Sequence, residues 1–245
     1  MHGSSDETSG LATGGLDAIV RLWDAGTGEE RVTLKGHRGE VRALAFAPDG
    51  QTLASAGWDG LIRLWHPANG QARATLRGHT GVVNAVAFAP DGRTLASGAT
   101  DLAVRLWDVA AGRERAALRR HTEDVCSLAF APDGRTLASG SLNGGIILWD
   151  AATGRQRAAL PKSPAYITAL AFAPDSRTLA WNDSAACVTL WDVDGSHVRA
   201  SLRCCSKGIR SVAFAPDGQT LASGGPDATV RLWDLAKIVV PHHPL

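Results

Sequence analysis

Six tryptophans, Trp23, Trp65, Trp107, Trp149, Trp191 and Trp233, stand 42 residues apart without exception. Phe46, Phe88, Phe130, Phe172 and Phe214 keep the same spacing, so no insertion or deletion separates the copies over most of the chain. A register this strict arises from copies of one structural unit, and any fold for this chain must be built by repetition.

One copy reads as four short strands. Residues 41–46 are apolar or alternating for the length of a strand, and Ala47-Pro48-Asp49-Gly50 then supplies a tight turn. Residues 52–55 give a second strand, Trp58-Asp59-Gly60 a turn, and residues 61–65 a third strand. A polar turn at Pro67-Ala68-Asn69-Gly70 leads to a fourth strand over 72–76. Such a sheet buries too little alone, and stacking copies face to face supplies the missing cover. A period of 40 to 45 residues with this strand content is that of a propeller blade.

These residues carry a resemblance to the WD-repeat (WD40) β-propeller family. Its signature pair stands at Trp23-Asp24, Trp107-Asp108, Trp149-Asp150, Trp191-Asp192 and Trp233-Asp234, with Trp65-His66 as a departure. The Gly-His that opens each unit stands at Gly36-His37 and Gly78-His79, weakens to Arg120-His121, and is replaced by Lys162-Ser163 and Cys204-Cys205. The expected fold is all-β, a propeller of about six four-stranded antiparallel blades over residues 11–236, between a polar segment (1–10) and a tail (237–245).

The strand tally is uneven. The inner strand of the first blade would fall within residues 1–8, which are polar and rich in Gly and Ser. The outer strand of the last blade is due near Pro241-His242-His243-Pro244-Leu245, unless residues 237–240 substitute for it. The first blade is thus expected to lack its inner strand and the last a clear outer strand, giving about 22 strands where six full blades need 24. Three explanations compete: a fragment of a seven-bladed protein, imperfect closure as six, or completion through unclosed ring edges by a homo-oligomer or by domains in cis. Beginning inside a repeat favours the first.

Each well-formed copy contains a histidine, a serine, an aspartate and a tryptophan: His37, Ser55, Asp59 and Trp65, then His79, Ser97, Asp101 and Trp107. They invite a reading as hydrolase triads. The resemblance implies instead a structural hydrogen-bonded tetrad inside each blade, and a buried indole N–H and imidazole do need partners. In the fourth blade the set is His121, Ser139, Asn143 and Trp149; in the fifth Ser163, Trp181, Ala185 and Trp191, so that the network is expected to be lost. The sixth has Cys205, Ser223, Asp227 and Trp233. The fifth blade is expected to be the least rigid, by drift or by adaptation to a partner. Arg21, Arg63, Arg105 and Arg231 recur two residues before the tryptophan, either as a phosphate-binding ring or, as is favoured, with packed stems and wet heads.

The resemblance also implies where partners dock: on the loops before the first strand and between the second and third. By register these loops carry Arg38, Glu40, Arg42, Asn84, Tyr166 and Arg210 in the first set, and Leu16, Trp58, Thr100, Leu142, Ser184 and Pro226 in the second. Trp58, Tyr166, Arg42 and Arg210 are the candidate anchors, aromatics and arginine being the common hot-spot residues. Packing remains an equal alternative for Trp58.

Composition narrows the rest. A net charge of +1 offers no global field for nucleic acid or an anionic membrane. Lysine occurs only at Lys35, Lys162, Lys207 and Lys237, an arginine bias that suggests a GC-rich bacterial origin. No apolar run is long enough to span a membrane and residues 1–8 lack a signal-peptide pattern, so a soluble cytoplasmic protein is expected. Cys126, Cys187, Cys204 and Cys205 show no zinc spacing, and His242-His243 reads as tail. No cofactor or metal is expected.

The expected function is a non-catalytic scaffold that presents a variable loop face to a protein or peptide, as the sensor or scaffold part of a larger bacterial signalling protein. The alternatives are an enzyme or ligand-binding propeller using its central channel, whose inner strands offer no acid/base or metal residues, and a nucleic-acid scaffold, for which Arg38, Arg42 and Arg210 are too few.

Overall fold

The computed structural model describes residues 10–183, 187–203 and 208–238. Met1 to Thr8, Ser184, Ala185, Cys204, Cys205, Ser206 and the His242-His243 pair, on which sequence expectations rest, lie outside them. Six antiparallel sheets account for the 22 strands of the described residues. The chain divides into two compact units, Met1–Asp101 with Arg105–Arg115, and Leu102–Val104 with Ala116–Leu245.

The first unit holds sheets one and two and the greater part of sheet three. Sheet one comprises Gly10–Gly14, Ile19–Asp24 and Glu30–Lys35; sheet two Val41–Phe46, Leu53–Gly57, Ile62–Trp65 and Ala72–Leu76. Sheet three comprises Val83–Phe88, Thr94–Ala99, Ala103–Asp108 and Arg113–Arg119. Neighbours in sequence are neighbours in each sheet, as hairpin turns dictate. The Pro-Asp-Gly turns succeed because Gly50 takes a φ of 69°, a left-handed conformation that costs glycine nothing.

The core of this unit is the stacking of one sheet on the next. Alternation sends Val20 and Leu22 to one face of sheet one, where with Leu34 they pack against Val41, Leu53 and Trp65 of sheet two. One repeat later Ile62, Leu64 and Leu76 pack against Val83, Leu95 and Trp107. Each sheet therefore has a trailing face of branched aliphatics and a leading face bearing the tryptophan.

The second unit holds sheets four to six. Sheet four comprises Val125–Phe130, Thr136–Ser141, Ile146–Asp150 and Gln156–Ala159; sheet five Ile167–Phe172, Thr178–Asp183, Cys187–Asp192 and His197–Arg203. Sheet six has three strands, Ser211–Phe214, Thr220–Gly224 and Val230–Asp234. The stacking rule repeats: Ile146, Leu148 and Leu160 against Ile167, Leu179 and Trp191, then Val188, Leu190 and Leu202 against Ile209, Leu221 and Trp233.

One local expectation is adjusted. Of the 237–240 segment Val239 and Val240 lie outside the described residues, and Lys237 does not begin a strand: Leu235–Lys237 is a 3-10 turn, because the Asp234 carboxylate accepts the Ala236 amide at 3.1 Å and holds the chain in a cap. The Asp175-Ser176 turn keeps the shape of the Asp-Gly turns, with Ser176 at φ 59°. Its hydroxyl accepts the Asp133 N–H at 3.0 Å, a contact that glycine has no side chain to make.

Leu64 is fully buried whereas Leu16 is 85% exposed. Leu64→Ala should cost about 2–5 kcal/mol in urea unfolding, and Leu16→Ala less than about 0.5 kcal/mol. Equal shifts in the two midpoints would contradict the stacked core.

Candidate functional site

The Gly-His pair begins the site. A side chain at Gly36 would press on the Arg63 guanidinium and the Trp65 ring, and one at Gly78 on Glu114, Trp107 and Arg105. Glycine lets the chain pass close to the tryptophan and deliver the next residue inward. His37 and Ser55 are buried, and the Trp65 indole N–H donates to Ser55 Oγ at 2.8 Å. Ser55 Oγ lies 2.8 Å from His37 Nε2, and His37 Nδ1 lies 3.0 Å from Asp59 Oδ2. With a neutral imidazole protonated on Nδ1, every donor points the same way along the chain, from indole to hydroxyl to imidazole to carboxylate. Sheet three repeats it: Trp107 to Ser97 at 2.8 Å, Ser97 to His79 at 2.7 Å, His79 to Asp101 at 2.9 Å.

The carboxylate then organises the surface. Asp59 also accepts the Arg38 amide at 3.1 Å and the Leu61 amide at 3.2 Å, pinning the loop before the first strand to the loop after the second. The Trp58 amide donates to the Glu40 carbonyl at 2.9 Å, closing the same junction. Burial works to raise the Asp59 pKa, but the Arg38 amide and His37 outweigh it and hold the carboxyl below its ordinary value.

In sheet four the chain is longer than the four residues picked out by register. Trp149 donates to Ser139 at 2.8 Å and Ser139 lies 2.7 Å from His121 Nε2, but His121 Nδ1 meets Ser141 Oγ at 3.1 Å rather than Asn143. Ser141 donates to Asn143 Oδ1 at 2.8 Å and Asn143 Nδ2 to Thr122 at 2.8 Å. In sheet five Trp181 and Ser163 stand in the serine and histidine places, so the chain from indole to hydroxyl to imidazole is absent among the described residues, but another bond is present. Ser163 Oγ donates to Asp183 Oδ2 at 3.0 Å, and both residues are buried. Trp191 Nε1, buried, has no hydrogen-bond partner among the described residues; its ring packs on Trp181 with centroids 6.1 Å apart. Ser141 and Asp183 occupy one register position, where sheets two and three have Gly57 and Ala99. A polar residue thus appears there when the carboxylate two residues later is absent, a signal readable only by comparing copies. In sheet six Trp233 donates to Ser223 at 3.0 Å.

A second irregularity builds the exposed surface. Pairing of the first two strands shifts register between Val41 and Ala43 and again between Val83 and Ala85, leaving Arg42 and Asn84 as the extra residues of β-bulges. Arg42 Nη1 donates to Asn84 Oδ1 at 3.2 Å and Nε to Glu40 Oε2 at 3.2 Å, and its guanidinium lies 5.7 Å from the Trp58 ring centroid. Trp58 is 57% exposed, and Gly39 leaves room for its Cβ. Glu40, Arg42, Trp58 and Asn84 thus form one cluster, with Arg38 exposed on the same loop. Leu142, half-buried, and Tyr166 and Arg210, both exposed, lie in the second unit on the loops of sheets four, five and six.

The recurrent arginines do not share one environment. Arg21 pairs with Asp17 at 2.7 Å at the surface, and Arg231 is exposed. Arg105 corrects the wet-head expectation: it is buried, bound through Nη1 to Glu114 and 3.6 Å from Asp101 through Nη2.

The inner histidines carry a pH signature. Burial pushes the His79 pKa down, against the opposing pull of Asp101, and burial alone lowers His121 from 6.5 to about 4. Both native imidazoles bind their proton less readily than the unfolded chain does, so stability is full above about pH 6.5 and falls as pH drops toward 4. Between pH 7 and pH 5, His121 should account for a loss of about 2 kcal/mol. Urea titrations at the two pH values should record it, and His121→Gln should flatten that part of the dependence. An unchanged slope in the variant would contradict the assignment.

A family model described as IFT122 first beta-propeller matches residues 4–240. Among curated proteins, coronin-7 of Mus musculus is 46% identical over 43 residues, covering 18% of this chain and 5% of its own length. Ribosome assembly protein 4 of Chaetomium thermophilum is 46% identical over 46 residues, 19% of this chain and 9% of its own length. Nuclear distribution protein PAC1 of Mycosarcoma maydis is 46% identical over 43 residues, 18% and 10%. Each match spans about one repeat, and the chain covers a tenth or less of each of these relatives. A match to a propeller model over nearly the whole chain, on a sequence whose sheets carry the registered Trp-Asp pairs, places it: the chain belongs to the WD-repeat β-propeller family.

Proposed function

We propose that the chain is a non-catalytic interaction scaffold that docks a protein or peptide on the loops around Trp58. WD-repeat propellers typically mediate protein interactions, and the observation that carries the reading is the cluster itself. An indole more than half exposed is braced by Arg42, which is held in turn by Glu40 and Asn84. An aromatic side chain already fixed in place loses little entropy on binding. The tetrad chemistry supports the non-catalytic part: Ser55 and Ser97 are fully buried, and each already accepts an indole N–H, so neither hydroxyl is presented to a substrate. The resemblance to WD-repeat proteins of similar regular composition supports a place as the sensor or scaffold part of a larger signalling protein, and the arginine bias supports only its bacterial origin.

The test is a selection of displayed random peptides on the wild-type chain, followed by affinity measurement against variants. Trp58→Ala and Arg42→Ala should weaken selected peptides by about thirtyfold or more, roughly 2 kcal/mol, with little change in Tm. Full affinity for Trp58→Ala, with losses confined to Tyr166→Ala or Leu142→Ala, would move the docking site to the second unit.

A further inference from the structure

The residue two before each tryptophan is matched, copy by copy, with the residue nine further on in the outer strand. Arg21 goes with Glu30, which stands opposite Trp23, and Arg105 goes with Glu114. Sheets four and five carry neither member: Ile147 goes with Gln156 opposite Trp149, and Thr189 with Val198 opposite Trp191. Sheet two breaks the rule, keeping the cation Arg63 but having Ala72 in the acid's place opposite Trp65. Arg21 is held by Asp17 at 2.7 Å and Glu30 at 3.7 Å, and Arg105 by Glu114 and Asp101. Arg63, half-buried, has among the described residues one long hydrogen bond, from Nη1 to Thr75 Oγ1 at 3.5 Å, and its Nε is buried without a partner. Arg105 Nε is unpartnered too, so what sets Arg63 apart is the missing carboxylate. The glycines beside the two arginines show its place. A side chain at Gly78 would meet the Glu114 carboxylate first, at 2.9 Å, whereas one at Gly36 would meet Arg63 and Trp65, with no carboxylate among its nearest atoms.

We infer that Arg63 is a binding point for the carboxylate of an aspartate or glutamate on a partner polypeptide, which enters where Glu30 and Glu114 stand in the flanking sheets. Those sheets define the chemistry. In both, the group that faces the guanidinium from the outer strand is a glutamate carboxylate, a planar acceptor suited to the planar fork of donors. A guanidinium drawn partly out of water without a counter-charge is costly, and an arriving carboxylate offsets that cost. Ala72 is exposed, so the acid's place is open from outside. Lys35, next to Gly36, and Arg77, on the Thr75 side of its strand by alternation, are exposed and add positive charge. The polypeptide source follows from the loop that joins this point to the Trp58 cluster. Gly36 lies against Arg63 and Gly39 against Trp58, and these two glycines are at most about 11 Å apart along the chain, within the span of one short peptide. The inference takes from the proposed scaffold function only that the ligand is a polypeptide, and Arg63 binds its carboxylate whether or not Trp58 contributes.

Nuclear magnetic resonance of the arginine Nε–H groups of the full chain, titrated at fixed ionic strength, tests it. The probes are an acetylated and amidated tetraglutamate peptide, the matching tetraglutamine peptide and inorganic phosphate, and Arg63→Lys identifies the Arg63 signal. The glutamate peptide should move that signal saturably, and the glutamine peptide should bind about tenfold more weakly or worse. Ala72→Glu supplies the carboxylate from within, as Glu114 does for Arg105. It should displace the Arg63 signal in the free protein and weaken the glutamate peptide about tenfold or more. Trp58→Ala should leave this titration unchanged, which separates a failure at Arg63 from a failure of the Trp58 site. An Arg63 signal that the glutamate peptide does not move, or moves no more than those of the exposed arginines, overturns the inference. So does full affinity in Ala72→Glu, equal binding of the glutamine peptide, or phosphate binding more tightly than the glutamate peptide. A loss in Trp58→Ala as large as that in Ala72→Glu would assign the peptide to the Trp58 cluster and overturn it equally.

Discussion

Most of this structure follows from the need of a buried indole for one acceptor. The tryptophan at the end of each third strand has a single N–H, and taking it out of water without a partner costs on the order of 1–3 kcal/mol. The adjacent strand meets the need with a hydroxyl at the same register, Thr13, Ser55, Ser97, Ser139 or Ser223. In sheets two to four that hydroxyl passes the chain to an imidazole, and in sheets two and three the imidazole passes it to a carboxylate. Each link satisfies a group that the previous one buried. Only sheet five lacks the hydroxyl, having Trp181 there, and only there does the indole of this series remain without a hydrogen bond among the described residues.

The same ring joins the interior to the surface. Its flat side closes the stack on the preceding sheet, while its N–H anchors a chain that ends at the loops. What Asp59 and Asp101 grip at that end is backbone: the amides of Arg38 and Leu61, and of Thr80. Because the pinned groups are main-chain, the side chains on the pinned residues are unconstrained. Arginine in one copy and threonine in the next take the same place. A surface whose side chains vary over a backbone that does not is the arrangement a binding module needs.

Period, strand order and turn positions were legible because every copy repeats them, and the tetrads of sheets two and three because both copies carry the same four residue types. The inner and outer strands missing from the tally belong to the same pattern, and the described residues contain 22 strands. What escaped was whatever depends on differences between copies. Ser141 and Asp183 hold hydrogen bonds from a column that reads as Gly or Ala elsewhere. Arg105 is buried beside Glu114, whereas the same pair in sheet one, Arg21 and Glu30, 3.7 Å apart, stays partly exposed, so the residue types alone do not reveal the burial. The bulges that aim Arg42 and Asn84 at each other have no signature in side-chain type. Residues 237–240 read as apolar enough to substitute for a strand, but a carboxylate that caps an amide makes Leu235–Lys237 a 3-10 turn.

Sheet five brings these threads together. Simple decay of a redundant repeat would leave the surviving polar groups stranded, since each had a partner that is now gone. Instead Ser163 and Asp183, neither of them a tetrad residue type at its position in sheets two and three, are bonded to each other. Asn182, fully buried where sheets three and four have Gly98 and Gly140, donates to Thr168 at 2.6 Å and to the Ile209 carbonyl at 2.6 Å, and Thr168 donates to that carbonyl at 2.8 Å. Ile209 belongs to the packing against sheet six, so hydrogen bonding withdrawn from within the fifth sheet reappears between the fifth and the sixth. The exchange is incomplete, for Asn182 Oδ1 and the Trp191 indole have no hydrogen-bond partner among the described residues. Two orphaned groups against a new inter-sheet network describe a repeat rewired around its neighbour, which loss alone does not explain.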